Sequence, residues 1–241
     1  MSPAAAGDAW PALVDAASEP YRRVGRFAWH FARGKLGRDP VFRGLLERGD
    51  LPGGAHVVDV GCGQGLLLSL LKAAKEQYQA GLWPPDWPAP PMHLALRGID
   101  LHAGRVQLAR RALGSSAQVD RRDLRDLDFP ACSAIVFLDV LFYLGEAEQA
   151  RAIEKAAAAL EPGGLLLLRE ADAGAGFAFQ VTKWGERLAG ALRGEFVQPL
   201  RYRSAAHWMA ELAARGLAVE AQPMSEGTPF ANVLFVARKV V

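Results

Sequence analysis

After residue 54 short apolar runs alternate with segments whose apolar residues recur every three or four positions, and few folds accommodate that alternation. HVVDV (56–60), LALRGID (94–100), AIVFLDV (134–140), LLLLRE (165–170), LAVEAQ (217–222) and NVLFVAR (232–238) read as strands. Several are apolar on both faces, as a buried parallel sheet requires. LLLSLLKAAKEQY (66–78), AGRVQLARRAL (103–113) and EAEQARAIEKAAAAL (146–160) read as helices; in the last, Ala150, Ile153, Ala157 and Leu160 share one face. Strand, helix, strand, helix predicts an α/β doubly wound sheet with right-handed crossovers. The end differs: Leu217–Pro223 and Ala231–Arg238 are joined by MSEGTP with no room for a helix, so they must form an antiparallel hairpin.

The first fifty or so residues carry no strand pattern. Punctuated by Pro20 and Pro40, they read as a helical cap (1–53) ahead of a core over 54–241, the whole being one integrated domain, since a single core grows to roughly 250 residues. A further helix is expected over about Phe177 to Leu192. GLWPPDWPAPPMH (81–93) holds five prolines and two tryptophans, Trp83 and Trp87. Proline cannot continue a helix or enter a central strand, so this is an extended surface insertion stitched down by its tryptophans.

Charge and cysteine content exclude several function classes. The net charge of +2 does not by itself argue for a nucleic-acid or membrane partner. Its distribution is uneven: Arg22, Arg23, Arg26, Arg33, Lys35, Arg38, Arg43 and Arg48 stand against Asp39 and Glu47 in residues 21–48, either a solvated helix face or a surface for an anionic partner. Two cysteines, Cys62 and Cys132, make no disulfide framework and have no metal-ligand spacing, so no metal is expected. No run approaches the ~18 apolar residues of a membrane span, and no signal peptide is legible, which reads as a cytoplasmic protein.

The strand at 56–60 runs into VVDVGCGQG (57–65). A strand entering a tight turn and then a helix places backbone N–H groups at the carboxyl edge of a sheet, where a ligand binds. Gly61, Gly63 and Gly65 permit positive φ and close approach. The dinucleotide fingerprint G-x-G-x-x-G competes for this turn, but Leu66 stands where its third glycine would fall. Asp59, inside the strand, would repel a pyrophosphate yet could balance a positively charged ligand.

VVDVGCGQG resembles the first motif of the class I S-adenosylmethionine (SAM) dependent methyltransferases, and the resemblance runs from 55 to 240. It implies a Rossmann-like, seven-stranded sheet, mostly parallel with a C-terminal antiparallel hairpin. Asp59, Gly61, Cys62, Gly63 and Gly65 would hold the cofactor at the first motif. GIDLH would offer Asp100, with Leu101 after it, to the ribose hydroxyls. VDRRDLRDLDFP would offer Asp123 and Leu124 to adenine, and FLDVLFYL would bring Asp139 beside the methionine moiety. LEPGG (160–164) is similar to the family's turn into strand five. Gly65 and Asp100 lie 35 residues apart against the ~20 usual between a glycine turn and its ribose carboxylate; the proline-tryptophan insertion accounts for the excess.

SAM carries an activated methyl, so the protein's main task is alignment. An amine acceptor could attack directly, whereas a phenol, alcohol or carbon acid needs a base. The candidates are His30 on the cap, His207 in a helix starting near Ser204, Glu170 at the end of strand five and Tyr143 after strand four; each also reads as a packing or surface residue. Tyr21, Phe27, Trp29, Phe31 and Phe42 make the cap compatible with an aromatic acceptor, though such spacing also suits core packing. The cap and LLREADAGAGFAFQVTKWGERL also resemble methyltransferases of bacterial aryl-polyene and polyketide-like pathways, which implies an aromatic or carrier-bound acceptor and an acidic carrier protein as partner. The expected product is S-adenosylhomocysteine (SAH). Alternatives are an RNA methyltransferase, against which DVLFYL lacks an Asn/Asp-Pro-Pro-aromatic motif, and a non-catalytic SAM-binding regulatory protein.

Overall fold

The computed structural model describes residues 9–53, 56–93, 95–176, 200–224 and 231–240. They form two compact units, Met1–Asp126 and Leu127–Val241.

The first unit opens with helices α1 (Ala9–Ser18), α2 (Arg26–Arg38) and α3 (Pro40–Glu47), with a 3₁₀ turn at Glu19–Arg23. Both prolines punctuate as expected. Pro20 sits in the 3₁₀ turn, and Pro40 takes the first position of α3, where its missing N–H costs nothing and Asp39 caps the helix by accepting from Val41 N at 3.2 Å. Then come β1 (His56–Val60), α4 (Leu66–Gln79), β2 (Ala95–Asp100), α5 (Ala103–Leu113) and β3 (Gln118–Arg121). β2 lies between β1 and β3 and pairs with both in parallel, with Asp59 opposite Gly98 and Ile99 opposite Asp120.

The cap helices are fastened to this sheet layer rather than lying loosely on it. α1 packs on α4, where the buried Ser69 Oγ donates to Ala17 O at 2.7 Å. The proline-tryptophan insertion is stitched down as read from its composition. Trp83 Nε1 donates to Pro88 O at 3.0 Å, and the Trp87 ring, nearly buried, lies 5.5 Å from Trp83 and 6.4 Å from Trp10 of α1.

The second unit contains β4 (Cys132–Leu138), α6 (Glu146–Ala159), β5 (Leu160–Ala171), α7 (Ala205–Ala213), β6 (Leu217–Pro223) and β7 (Asn232–Lys239). β4 and β5 are parallel; β7 runs antiparallel to β5 on one side and to β6 on the other, giving the C-terminal hairpin. Ala134–Phe137 and Leu165–Leu168 are without exposed surface, so these strands are covered on both faces, which explains their unbroken apolar runs. LEPGG is no free turn: Cys132 pairs with Leu160, the register then shifts so that Ala134 pairs with Leu165, and Gly163 takes φ +73° in the intervening bulge. The helical stretch expected at Phe177–Leu192, and most of MSEGTP, lie outside the described residues.

The expected stripe on α6 holds at Ile153, Ala157 and Leu160, all buried, whereas Ala150 is half-buried and Gln149, Ala152 and Ala156 also point inward; Gln149 is accommodated because its amide is hydrogen-bonded. Its Nε2 donates to Leu141 O at 3.0 Å and Arg201 O at 2.8 Å, while Oε1 accepts from Arg203 Nε at 2.6 Å. A buried amide with its hydrogen bonds made is tolerated where an unpaired one would cost about 1–3 kcal/mol. No helix among the described residues is long and apolar enough to cross a membrane.

Candidate functional site

In the first unit β1 ends in a turn with three left-handed glycines, Gly61 (φ +74°), Gly63 (φ +55°) and Gly65 (φ +78°). Gly61 N and Cys62 N both donate to Ile99 O, at 2.7 and 3.0 Å, which binds the turn to the end of β2. Gly63 and Gly65 differ in what surrounds them. A Cβ on Gly63 would meet nothing within 4 Å, whereas one on Gly65 would lie 2.7 Å from Leu113 Cδ1. Gly65 therefore lets α5 pack against the start of α4, and Gly63 faces open space.

Asp100, buried at the end of β2, closes the turn. Its Oδ2 accepts from Gly63 N at 2.9 Å and its Oδ1 from His102 N at 2.7 Å. Each carboxylate oxygen has a second lone pair available to a ligand hydroxyl. This is an observation the sequence did not contain: the carboxylate read as a ligand group also holds the glycine turn in shape, from 37 residues away. Leu101 is largely exposed beyond it.

Beneath the turn lie Asp59, Cys62 and Tyr21, all buried. Burial, and next the Asp100 carboxylate, push Asp59 up to about 7. Cys62 Sγ fills the space over Gly98, whose Cβ would come within 2.8 Å of it, and burial pushes the thiol far above its ordinary range. Cys62 thus packs its thiol inward, while its N–H donates to Ile99 O and its carbonyl accepts from Gly65 N at 2.8 Å. Tyr21, from the 3₁₀ turn of the cap, donates its hydroxyl to Gln64 O at 2.9 Å, and burial raises its pKa strongly. Its place in the glycine turn went unread in the sequence, where it figured only as an aromatic of the cap.

Asp123 and Leu124 follow β3, both half-buried. The Arg125 side chain grips both oxygens of Asp123, at 3.0 and 2.7 Å, and holds its carboxyl below the usual range. A pair this exposed is worth about 0–1 kcal/mol, so a ligand can compete for the carboxylate. The cap aromatics do not gather into one lining. Tyr21 and Phe42 are core residues, Phe27 is 80% exposed, and Phe31 also faces outward. Trp29 lies under the Arg22 guanidinium at 4.1 Å, and exposed His30 stacks beside Trp29 at 4.5 Å.

In the second unit Asp139 follows β4 at φ +57°, a conformation rare for a non-glycine residue. Its carboxylate receives both Nε and Nη2 of buried Arg169, the latter in a short contact. Arg169 went unread in the sequence; the structure shows it as the partner of Asp139. Next along β5, Glu170 is buried and accepts from Leu141 N at 2.8 Å. Burial first, then Asp139, push its carboxyl well above the usual range, against the pull of the Leu141, Phe142 and Val140 amides. Glu170 thereby ties the turn after β4, which carries half-exposed Tyr143, to the end of β5.

Ser204 caps α7, its Oγ accepting from His207 N at 3.2 Å, and Ala205 N donates to Asp172 Oδ1 at 2.8 Å. α7 therefore starts at the carboxyl end of β5, as expected. His207 Nε2 lies 2.7 Å from Arg203 Nη1; partial burial and that guanidinium lower its pKa, so the ring is neutral at pH 7. His207, Arg203 and Gln149 form one chain of contacts, of which only His207 was read from the sequence.

A family model described as a methyltransferase domain matches residues 28–222, most of the chain. The chain belongs to that family. The resemblance drawn from VVDVGCGQG and the motifs after it is borne out, and so is the fold class: seven strands, mostly parallel, closing on an antiparallel hairpin. Carboxy-S-adenosyl-L-methionine synthase of Chromohalobacter salexigens is 35% identical over 132 residues, 53% of this chain and 44% of that one, so the match spans less than half of the relative. An O-methyltransferase family protein from Burkholderia thailandensis shares the fold at 18% identity and TM-score 0.60, over 91% of this chain and 62% of that one. The O-methyltransferase NcsB1 of neocarzinostatin biosynthesis, solved with SAH and 1,4-dihydroxy-2-naphthoic acid, does so at 24% identity and TM-score 0.59, over 94% of this chain and 60% of that one.

Proposed function

We propose that this protein is a SAM-dependent methyltransferase acting on a small, aromatic or carrier-bound acceptor, with SAH as product. The observation that carries the reading is the Asp100 carboxylate clamped to Gly63 N–H beside a glycine turn whose Gly63 position opens onto free space. The residues fit the cofactor. Asp100 keeps lone pairs for the ribose hydroxyls, the glycine turn with Cys62 permits close approach at the open Gly63 position, Asp59 is poised to take negative charge beside a cation, and Asp123 with Leu124 suits adenine. Leu101 and Asp139 complete the set implied by the family resemblance.

Bound SAM supplies an activated methyl, leaving the protein to orient the acceptor and remove a proton where the acceptor has one to lose. Of the four base candidates, Glu170 already serves the three amides of the turn at 140–142, and burial pushes its carboxyl well above the usual range, which suits positioning better than proton abstraction. His207 is neutral and so able to accept a proton, provided that Arg203 yields its Nε2. Tyr143 and His30 are accessible, and either would act through its exposed edge. The 1,4-dihydroxy-2-naphthoic acid bound to NcsB1 supports an aromatic substrate; exposed Arg23, closing the 3₁₀ turn, and Arg26, opening α2, support an acidic carrier. Two unpaired cysteines support a cytoplasmic setting.

The test is SAH release from SAM with a panel of phenols, free and carrier-linked, together with calorimetry of SAM binding to wild type and Asp100→Ala. Turnover with an aromatic acceptor, and at least tenfold weaker SAM binding by the variant, are expected. Tight SAM binding without SAH across the panel would favour a non-catalytic SAM-binding protein. Unchanged affinity in the variant would remove Asp100 from the site.

A further inference from the structure

In the second unit the chain after β4 meets the chain entering α7, where Arg201 N donates to Phe142 O at 2.8 Å, and Arg203 there fixes the state of His207. A guanidinium donates and never accepts, so Arg203 Nη1, 2.7 Å from His207 Nε2, requires the lone pair on that nitrogen. Neutral His207 therefore carries its proton on Nδ1, and the nitrogen able to take a further proton is occupied. His207 is a masked base. The rest of the guanidinium is unevenly served. Nε is anchored at 2.6 Å to Oε1 of Gln149, a buried amide whose Nε2 is in turn held by Leu141 O, Leu144 O and Arg201 O. Among the described residues Nη2 has only the Glu146 carboxylate, at 3.7 Å and so beyond hydrogen-bond distance, on a side chain 74% exposed. The group is thus fixed at one end, and its Nη1–Nη2 edge is the fork that matches a planar carboxylate. Aromatic surface begins beside it: the Tyr202 ring lies 5.0 Å from Phe142, and Phe142 lies 4.5 Å from half-exposed Tyr143.

Resting on the methyltransferase reading, we propose that Arg203 selects an aromatic acceptor bearing a carboxylate as well as its hydroxyl, and that the carboxylate, by drawing Arg203 away, unmasks His207 as the base. The guanidinium pivots on its Gln149 bond. Nη1 leaves His207 Nε2 for one carboxylate oxygen, and Nη2 takes the other. Nε2 is then free to receive the proton of the acceptor hydroxyl. The hydroxyl oxygen keeps the electron pair that bonds the methyl, the C–S pair stays on sulfur in SAH, and the imidazolium returns its proton to water. The same exchange makes His207 a stronger base: partial burial and then the guanidinium charge hold its pKa down, against Glu211 of α7 and Glu146 of α6, and the carboxylate offsets that charge. An acceptor without a carboxylate leaves Nε2 occupied, so selection acts on rate as well as on binding. Arg203 is a specificity-determining residue on this account, and His207 a catalytic one.

The probes are two pairs of phenols that differ in the carboxylate: 4-hydroxybenzoate against 4-methylphenol, and 1-hydroxy-2-naphthoic acid against 1-naphthol. Full-chain wild type, Arg203→Met and Arg203→Lys are titrated with each by calorimetry, with and without SAH, while NMR follows the His207 ring across its titration. SAH release from SAM gives the rate. Wild type should bind the carboxylated member of a pair about tenfold or more tightly than its neutral partner. That binding should raise the His207 pKa, and the neutral phenols should leave it unmoved. In Arg203→Met the ring should titrate higher without any ligand, the preference for the carboxylate should vanish, and kcat/KM for a neutral phenol should be kept or increased. Arg203→Lys keeps the charge without the fork and should restore only part of the preference. A guanidinium that merely braces the chain would instead lower thermal stability and cost both members of each pair alike. Equal binding of the paired phenols by wild type, or a His207 titration that the carboxylated phenols do not move, would overturn the proposal. Carboxylated phenols that bind and shift His207 without any SAH release from SAM would leave the recognition by Arg203 standing and sink the methyltransferase reading.

Discussion

Asp59 offers a test of the site that needs no acceptor. Its carboxyl is buried under the glycine turn and titrates at about 7 in the folded chain, because burial and then Asp100 disfavour its charge. In the unfolded chain it titrates near 3.8. Between those values the unfolded state has released a proton that the folded state keeps, so folding stability falls as pH rises, by about 1.4 kcal/mol per pH unit for this group. The stability is present in full below pH ~4 and gone above pH ~7, a total of about 4 kcal/mol over roughly three units. Asp59→Asn has no proton to lose. Urea unfolding of both proteins from pH 5 to pH 8 should show the variant gaining on wild type by about 3 kcal/mol, with the gain complete near pH 7. Any constant cost of burying the amide drops out, because only the change of the difference with pH is read. Other titrating groups, Glu170 among them, are common to both proteins and cancel too. Parallel pH profiles would refute the assignment of a buried, proton-holding Asp59.

Three further outcomes follow from the same geometry. SAM affinity in wild type should rise as pH increases through 7, where Asp59 becomes available as an anion to a cationic ligand, and Asp59→Asn should flatten that rise in calorimetry. Gly63→Ala and Gly65→Ala both impose positive φ on a side chain, at about 1 kcal/mol, but only Gly65→Ala also drives a methyl into Leu113; it should unfold several degrees lower, while Gly63→Ala should chiefly lose SAM binding. Glu170→Ala strips an acceptor from the turn amides and should cost about 1–3 kcal/mol, whereas Glu170→Gln retains an acceptor oxygen without charge and should stay near wild type in thermal unfolding at pH 7. Equal losses in the two Glu170 variants would mean that its acceptor oxygen does not hold the turn.

The sequence by itself determined most of the elements, their order and the cofactor turn; β3 (Gln118–Arg121), short and polar, shows no apolar run and entered only through the family resemblance. Apolar runs such as AIVFLDV and LLLLRE are bounded by helices whose periodicity is local, and a strand-glycine-helix junction like VVDVGCGQG is a property of consecutive residues. Pro20, Pro40 and the insertion at 81–93 were equally legible, since proline acts on its own φ and on its neighbour. Tertiary structure alone decided what touches what. Asp100 reaches back to Gly63, Tyr21 reaches across to Gln64, Arg169 pairs with Asp139, and Gln149 gathers Leu141, Arg201 and Arg203. Those contacts join residues 30 to 54 positions apart, Leu141 being nearer, and no local pattern specifies them. The same reason explains why protonation was hidden: a carboxylate beside the turn could be read from DVGCG, but its titration near neutrality depends on burial and on Asp100, and both arise only when β1 and β2 lie side by side.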